Sequence, residues 1–224
     1  MTKRSLIKRV ATRLAKEFSL PYMLEKPCVL QIVPTNACYL RCRACHKNYY
    51  RSNNDHMAPE VYKRIKEQAF DTAETVNLQG LGEPTLSLMF TEMLEDAIRH
   101  NFFITFVTNA SKLSMEHIRI LAQARANVVI SIDGAKADTH QYSKVGSNFS
   151  QILDVLQQLK EARKQYPSGQ MSICFSTVVT RYNIEEIADI IRLAKKFDVS
   201  NVNLITPGVG DRKDEFALQT IGYY

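Results

Sequence analysis

Long apolar runs are missing from this chain. No run approaches the roughly 20 residues that a membrane-spanning helix needs, so no transmembrane segment is expected. Cysteine is scarce, with five residues: Cys28, Cys38, Cys42, Cys45 and Cys174. An odd count, three of them clustered, and no secretory leader together argue against a disulfide framework. No low-complexity tract occurs, and no internal repeat beyond the alternation described below. No stretch interleaves aromatic and basic residues in a way that points to nucleic acid. The chain is also too short for a closed eight-stranded α/β barrel, which takes about 250 residues.

What is present suits one large domain or two small ones. The chain has 224 residues, and apolar residues make up 45%, enough for an ordinary packed core. Lys and Arg outnumber Asp and Glu by 29 to 23, a net charge of +6. Much of the excess lies early, at Lys3, Arg4, Lys8, Arg9, Arg13 and Lys16. Leu6, Val10, Leu14 and Phe18 recur at four-residue steps between them, the pattern of an amphipathic basic helix. Such a helix can cover the domain with its apolar side, or meet a lipid surface or an acidic partner. Residues 1–25 are read as this helical segment and 26–224 as the core domain.

Through the core, strand-like and helix-like stretches alternate. The strands read as Val29–Val33, Val76–Gln79, Ile104–Thr108, Val128–Ile132, Ser172–Val178 and Val202–Thr206. They read as nearly continuously apolar, as in a parallel sheet covered by helices. The helices read as Pro59–Phe70, Leu88–His100, Ser114–Ala124, Phe149–Lys164 and Asn183–Phe197. Pro59 suits a first helical position, Ser114 can cap its helix, and Asn183 with Glu186 fits a capping box. The expected fold is α/β: an open six-stranded parallel (β/α)6 partial TIM barrel preceded by the basic helix. Catalytic groups in parallel barrels gather at the C-terminal ends of the strands.

After the first strand comes Pro34-Thr-Asn-Ala-Cys38-Tyr-Leu-Arg-Cys42-Arg-Ala-Cys45-His46. The spacing is C-x3-C-x2-C. Three thiolates on one short loop can hold three irons of a [4Fe–4S] cluster, which takes four cysteines when fully protein-ligated. The fourth iron would stay open to a small molecule. Zinc bound by the three cysteines and His46 is the rival, although adjacent Cys45 and His46 diverge on an extended loop. Plain buried thiols are the third possibility. Cys28 and Cys174 fall within strand-like runs and read as small buried apolar residues.

Four later segments stand at strand ends in order: Gly80-Leu-Gly82-Glu83-Pro84, Thr108-Asn109-Ala110, Ser131-Ile-Asp133-Gly134 and Thr177-Val-Val-Thr-Arg-Tyr-Asn183. With the cysteine loop, this set resembles the radical S-adenosylmethionine (SAM) superfamily over about Val29 to Pro207. It is closest to the branch of peptide- and sulfatase-modifying enzymes and the molybdopterin-precursor cyclase. Ala44 stands where the family commonly has an aromatic residue, Ala110 where it has glycine, and Lys144 where arginine is frequent.

The resemblance implies an enzyme. Cys38, Cys42 and Cys45 would hold the cluster, and SAM would bind its open iron. Reductive cleavage would give a 5′-deoxyadenosyl radical that takes hydrogen from a substrate, expected to be a peptide, a protein or a small metabolite. Gly80 and Gly82 would clear space for the ligand, and Glu83 would accept its amino group. Ser131, Thr108 and Asn109 would meet carboxylate or ribose, and backbone at Ala44 would meet adenine. Lys144 can pair with the carboxylate or stand exposed. Arg41, Arg43, Lys47 and Arg51, interleaved in the cysteine loop, read either as solvated charges or as a docking rim for an acidic electron donor such as a flavodoxin or ferredoxin. Reduced thiols imply a cytoplasmic setting. No cysteine follows Cys174, so the branch's cysteine-rich C-terminal domain is expected to be absent or truncated. The contrasting reading is a non-enzymatic metal module, either zinc-stapled or an electron-transfer iron–sulfur protein; a glycine-flanked Glu83 has no purpose there.

Overall fold

A computed structural model describes residues 10–11, 13–15, 17–19, 27–45, 47 and 53–206. Six strands form one sheet in chain order: β1 (Val29–Ile32), β2 (Thr75–Leu78), β3 (Phe103–Thr108), β4 (Arg125–Ser131), β5 (Gln170–Val178) and β6 (Asn201–Ile205). Every neighbouring pair is parallel. The crossovers are α1 (Pro59–Ala69), α2 (Phe90–Arg99), α3 (Met115–Gln123), α4 (Ala137–Ser143) with α5 (Phe149–Gln165), and α6 (Ile187–Lys196). This is the expected open α/β partial barrel.

The strands are not apolar throughout, as their sequences first suggested. β3 alternates half-buried and buried residues along Phe103–Thr108, and β2 does the same. One face of the sheet carries Ile32, Val76, Leu78, Ile104, Phe106, Val128, Ile130, Ile173 and Phe175, all buried in the core. The other carries Gln31, Asn77, Thr105, Asn127 and Ser172, which stay partly or largely exposed. Among the described residues, the crossover helices therefore cover one face only. A period of two is what such one-sided covering produces. Removing a buried side chain such as Phe106 from a packed core costs about 3–5 kcal/mol.

Local signals explain several helix ends. Pro59 opens α1. Ser114 accepts from the His117 amide and the His117 ring returns a bond, a complete capping box on α3. Asn101 and Asp198 follow α2 and α6 with φ of 55° and 54°, the left-handed turn that often ends a helix. The box expected at Asn183 does not form. The Asn183 carboxamide bonds Thr180 N–H, Asp133 C=O and Val178 C=O instead. Glu186 reaches across to α4, where it accepts from Ala135 N–H (2.9 Å), Lys136 N–H (3.3 Å) and Thr139 Oγ1 (2.6 Å). Tertiary partners outcompeted the local cap.

The N-terminal helix is described only in part. Residues 10, 11, 13–15 and 17 are helical, and Ala15 is buried. Val10, Leu14 and Phe18 are exposed, so their stripe does not cover the domain; Leu6 lies outside the described residues. Cys28 is exposed at the start of edge strand β1, contrary to expectation, whereas Cys174 in β5 is buried as expected. No described helix is long and apolar enough to cross a membrane.

Candidate active site

The loop after β1 is pinned to its neighbours by backbone. Asn36 N–H donates to Asp55 C=O and Met57 N–H to Pro34 C=O. Arg41 and Arg43 N–H groups donate to Val145 and Ser143 C=O, which ties the cysteine loop to the end of α4. Glu83 N–H donates to Ala37 C=O at 2.8 Å. That last bond draws the β2 loop hard against the cysteine loop. A Cβ on Gly82 would lie 2.2 Å from Thr35 O and 2.8 Å from Ala37 O, so only glycine fits.

A cavity of about 260 Å³ opens at this junction. Cys38, Cys42, Ala44, Cys45, Gly80, Gly82, Glu83, Thr108, Asn109 and Ser131 all line it. Every site residue expected from the sequence is therefore brought to one place. Gln79, Leu81, Val107, Lys144 and Val178 complete the wall. Of these, Gln79 and Val107 were hidden in the sequence, because strand ends contribute them with no motif to mark them.

Glu83 joins the ends of β2 and β3. Its Oε1 accepts from Thr108 Oγ1 (2.6 Å), Thr85 Oγ1 (2.8 Å) and Thr85 N–H (3.4 Å), and Oε2 from Asn109 N–H (2.8 Å). Burial pushes its pKa up, against the pull of these donors. Oε2 has a single donor and lies in the cavity wall, so it retains acceptor capacity for a ligand cation. Thr108 Oγ1 also accepts from Ala110 N–H, so its hydroxyl is spent on the turn. Ala110 sits at φ 62°, a conformation glycine adopts more readily. The Asn109 carboxamide accepts from Ser111 N–H and donates to Cys38 Sγ at 3.8 Å.

Lys144 is buried, not exposed. Its Nζ donates to Ser131 Oγ at 2.7 Å and lies 3.2 Å from Asp133 Oδ2. Burial opposes its charge, but Asp133 and the neighbouring Cys42 outweigh it, and its pKa lies above the ordinary lysine value. Asp133 is itself fixed by Val178 N–H (2.9 Å) and Ser143 Oγ (2.6 Å). A buried ion pair of this kind is held in place by its hydrogen bonds more than by net Coulomb gain. It presents one ammonium to the cavity opposite a buried carboxylate.

Burial raises the Cys42 thiol to about 11 and also raises Cys38. None of the five cysteines forms a disulfide. Among the described residues, no three His, Cys, Asp or Glu side chains converge closely enough to hold one metal ion. Three thiols spread around a cavity suit a multi-iron cluster better than a single zinc, whose ligands lie within about 2.3 Å of it. His46, the suggested fourth zinc ligand, lies outside the described residues, as does Arg51. Of the basic rim, Lys47 is bonded to Asn36 C=O and Asn54 Oδ1, and Arg43 lies over the Tyr142 ring and donates to Tyr142 C=O.

The profile of the Radical SAM superfamily matches residues 32–194, the segment that holds every one of these groups. The chain belongs to the radical SAM superfamily. The family uses a [4Fe–4S] cluster and SAM, and the three-thiol cavity with Glu83 and Lys144 in its wall fits that pair. The chain is 29% identical over 191 residues to mycofactocin maturase MftC of Mycobacterium ulcerans, covering 83% of this chain and 48% of that protein. Among solved structures it resembles Streptococcus suis SuiB bound to SAM (TM-score 0.73, 18% identity, 96% of this chain and 47% of that one). It also resembles SuiB bound to its precursor peptide SuiA (TM-score 0.72, 19% identity, 90% and 43%). The chain spans about half the length of the relatives it matches.

Proposed function

We propose that this chain is the catalytic core of a radical SAM enzyme that takes a hydrogen atom from a peptide or protein substrate. The single observation that carries the proposal is the joint lining of one cavity by Cys38, Cys42, Cys45, Glu83, Ser131 and Lys144. When bound and reduced, the cluster and SAM together supply a carbon radical able to take hydrogen from an unactivated C–H bond. The protein's own groups hold and orient. The three thiols would anchor the cluster, with Asn109 Nδ2 donating to Cys38 Sγ, a bond of the kind that tunes cluster potential. Glu83 Oε2 would accept the amino end of SAM. Lys144, with Ser131 beside it, would hold the carboxylate end, a charge-assisted contact stronger than a neutral one. Gly82 would let the cysteine loop approach closely enough to share the cavity wall, the backbone at Ala44 would meet the rest of the ligand, and Val107 and Val178 would keep water from it.

The relative MftC is named a maturase, and SuiB binds a precursor peptide; both support a peptide substrate here. A one-electron donor, an acidic flavodoxin or ferredoxin docking near Arg41, would supply the reducing electron in the cytoplasm. The test is anaerobic reconstitution followed by reduction in the presence of SAM. The expected products are 5′-deoxyadenosine and methionine, and Cys42→Ala should make neither. A fully loaded, SAM-bound chain that makes no 5′-deoxyadenosine under strong reduction would overturn the proposal.

A further inference from the structure

Glu186 is buried and well bonded, yet among the described residues it takes no part in the cavity wall. It stands in the connection between β5 and α6, where its own N–H donates to Asn183 C=O at 2.9 Å. The Asn183 carboxamide is bonded to Val178 C=O and Asp133 C=O, so the acid is held to the ends of β5 and β4. Donors converge on it from the start of α4. Ala135 N–H and Lys136 N–H meet Oε2, and Thr139 Oγ1 meets Oε1. Lys136 Nζ lies 3.8 Å from Oε1, but that side chain is largely exposed and adds little.

α4 depends on such help. It has seven residues, far short of the roughly 12–15 that a helix needs to persist alone. It contains no Val, Leu, Ile, Met or Phe, and its buried residues are His140 and Ser143. Little apolar burial therefore fixes it. His140 Nδ1 accepts from Asp133 N–H and anchors its middle. Its start is left to Glu186. At its other end, roughly 10 Å along the axis, Lys144 N–H closes the last turn on His140 C=O. From there the Lys144 ammonium reaches Ser131 Oγ at 2.7 Å and Asp133 Oδ2 at 3.2 Å in the cavity wall. α4 is thus a strut between Glu186 and the cavity. A binding group keeps its function only within about 0.5 Å of its productive place. Without the acid the start of the strut loses its anchors, and Lys144 shifts with it.

We infer that Glu186 is a positioning residue for SAM: by clamping the start of α4 it places the Lys144 ammonium for the SAM carboxylate. The inference rests on the reading that Lys144 holds that carboxylate. Glu186 acts through Lys144 and not on the ligand.

The test is SAM affinity per loaded cluster, measured by equilibrium dialysis on the reconstituted chain. The variants are Glu186→Gln, Glu186→Ala and Thr139→Val, each alone and combined with Lys144→Gln, which keeps an amide donor for Asp133. Iron content and melting temperature are recorded on the same samples. Glu186→Ala should weaken SAM binding about tenfold, and Glu186→Gln, which keeps one acceptor, about threefold. Thr139→Val leaves the acid and its backbone bonds in place and should fall between Glu186→Gln and the parent. In the Lys144→Gln chain, itself weakened about tenfold, the same substitutions should add less than about twofold, because the contact they position is already gone. Unchanged SAM affinity in every Glu186 variant that loads a cluster would overturn the inference, even with a lowered melting temperature. Equal weakening with and without Lys144 would do the same. Failure of all the single variants to load a cluster would also overturn it, in favour of a support for the cysteine loop. If Lys144→Gln binds SAM as tightly as the parent, the assignment of Lys144 falls and the inference with it. The expected coupling in a chain that makes no 5′-deoxyadenosine would sink the proposed function and leave the positioning role standing.

Discussion

Gly82 is the residue on which the site's assembly turns most sharply. Its Cα faces two carbonyls of the cysteine loop, and backbone cannot give way as a side chain can. Gly80, two residues earlier, would meet the Val33 side chain, its methyl carbons at 2.4 and 3.0 Å and its Cβ at 3.2 Å. Val33 is partly exposed and can move. Gly82→Ala should therefore cut iron and sulfide content after reconstitution to less than about half, while Gly80→Ala keeps most of it. Equal loading of the two variants would show that the contact between the loops does not govern cluster assembly. The cysteines were legible from their spacing, and Glu83 and Ser131 from the resemblance of their strand-end motifs to the family's. Lys144 was not legible as a buried group. Its burial depends on Asp133, Ser131 and the close of α4, which no local pattern announces. Cys28 misled for the opposite reason: its apolar neighbourhood in sequence lies at an exposed strand edge.

At the scale of elements, the six strands and five of the helices could be placed from periodicity to within a few residues. The short helix α4 could not, since its N-terminus carries no side-chain cap of its own and is held by distant Glu186. α4 also carries His140, fully buried beside Phe149, with Nδ1 accepting from Asp133 N–H. Burial, with Lys144 nearby, lowers its pKa from 6.5 to about 4. The folded state thus resists a proton that the unfolded state takes up. This contribution is complete above about pH 6.5, falls as pH drops towards 4, and levels off below that. Its full size is about 3 kcal/mol at most. The melting temperature should fall over that window, and His140→Leu should flatten that part of the decline whatever its effect at neutral pH. An identical slope in parent and variant between pH 6.5 and 4 would remove His140 from the account.

For the whole molecule, the decisive feature is that, among the described residues, the crossover helices all lie on one face of the sheet. Val and Ile on the covered face dominate each short run, so the strands look continuously apolar in the sequence. The alternating Asn, Gln, Thr and Ser residues become meaningful only when the register aligns them across strands. The same register delivers the motifs of β1 to β4 to one rim, where the three-thiol cavity opens. The central claim is that this cavity holds a cluster with one iron left for SAM. Electron paramagnetic resonance of the reduced, reconstituted chain, with and without SAM, tests it most directly. The account predicts about four irons and four sulfides per chain and a signal that shifts when SAM is added. A full cluster whose signal is unchanged at saturating SAM would contradict it.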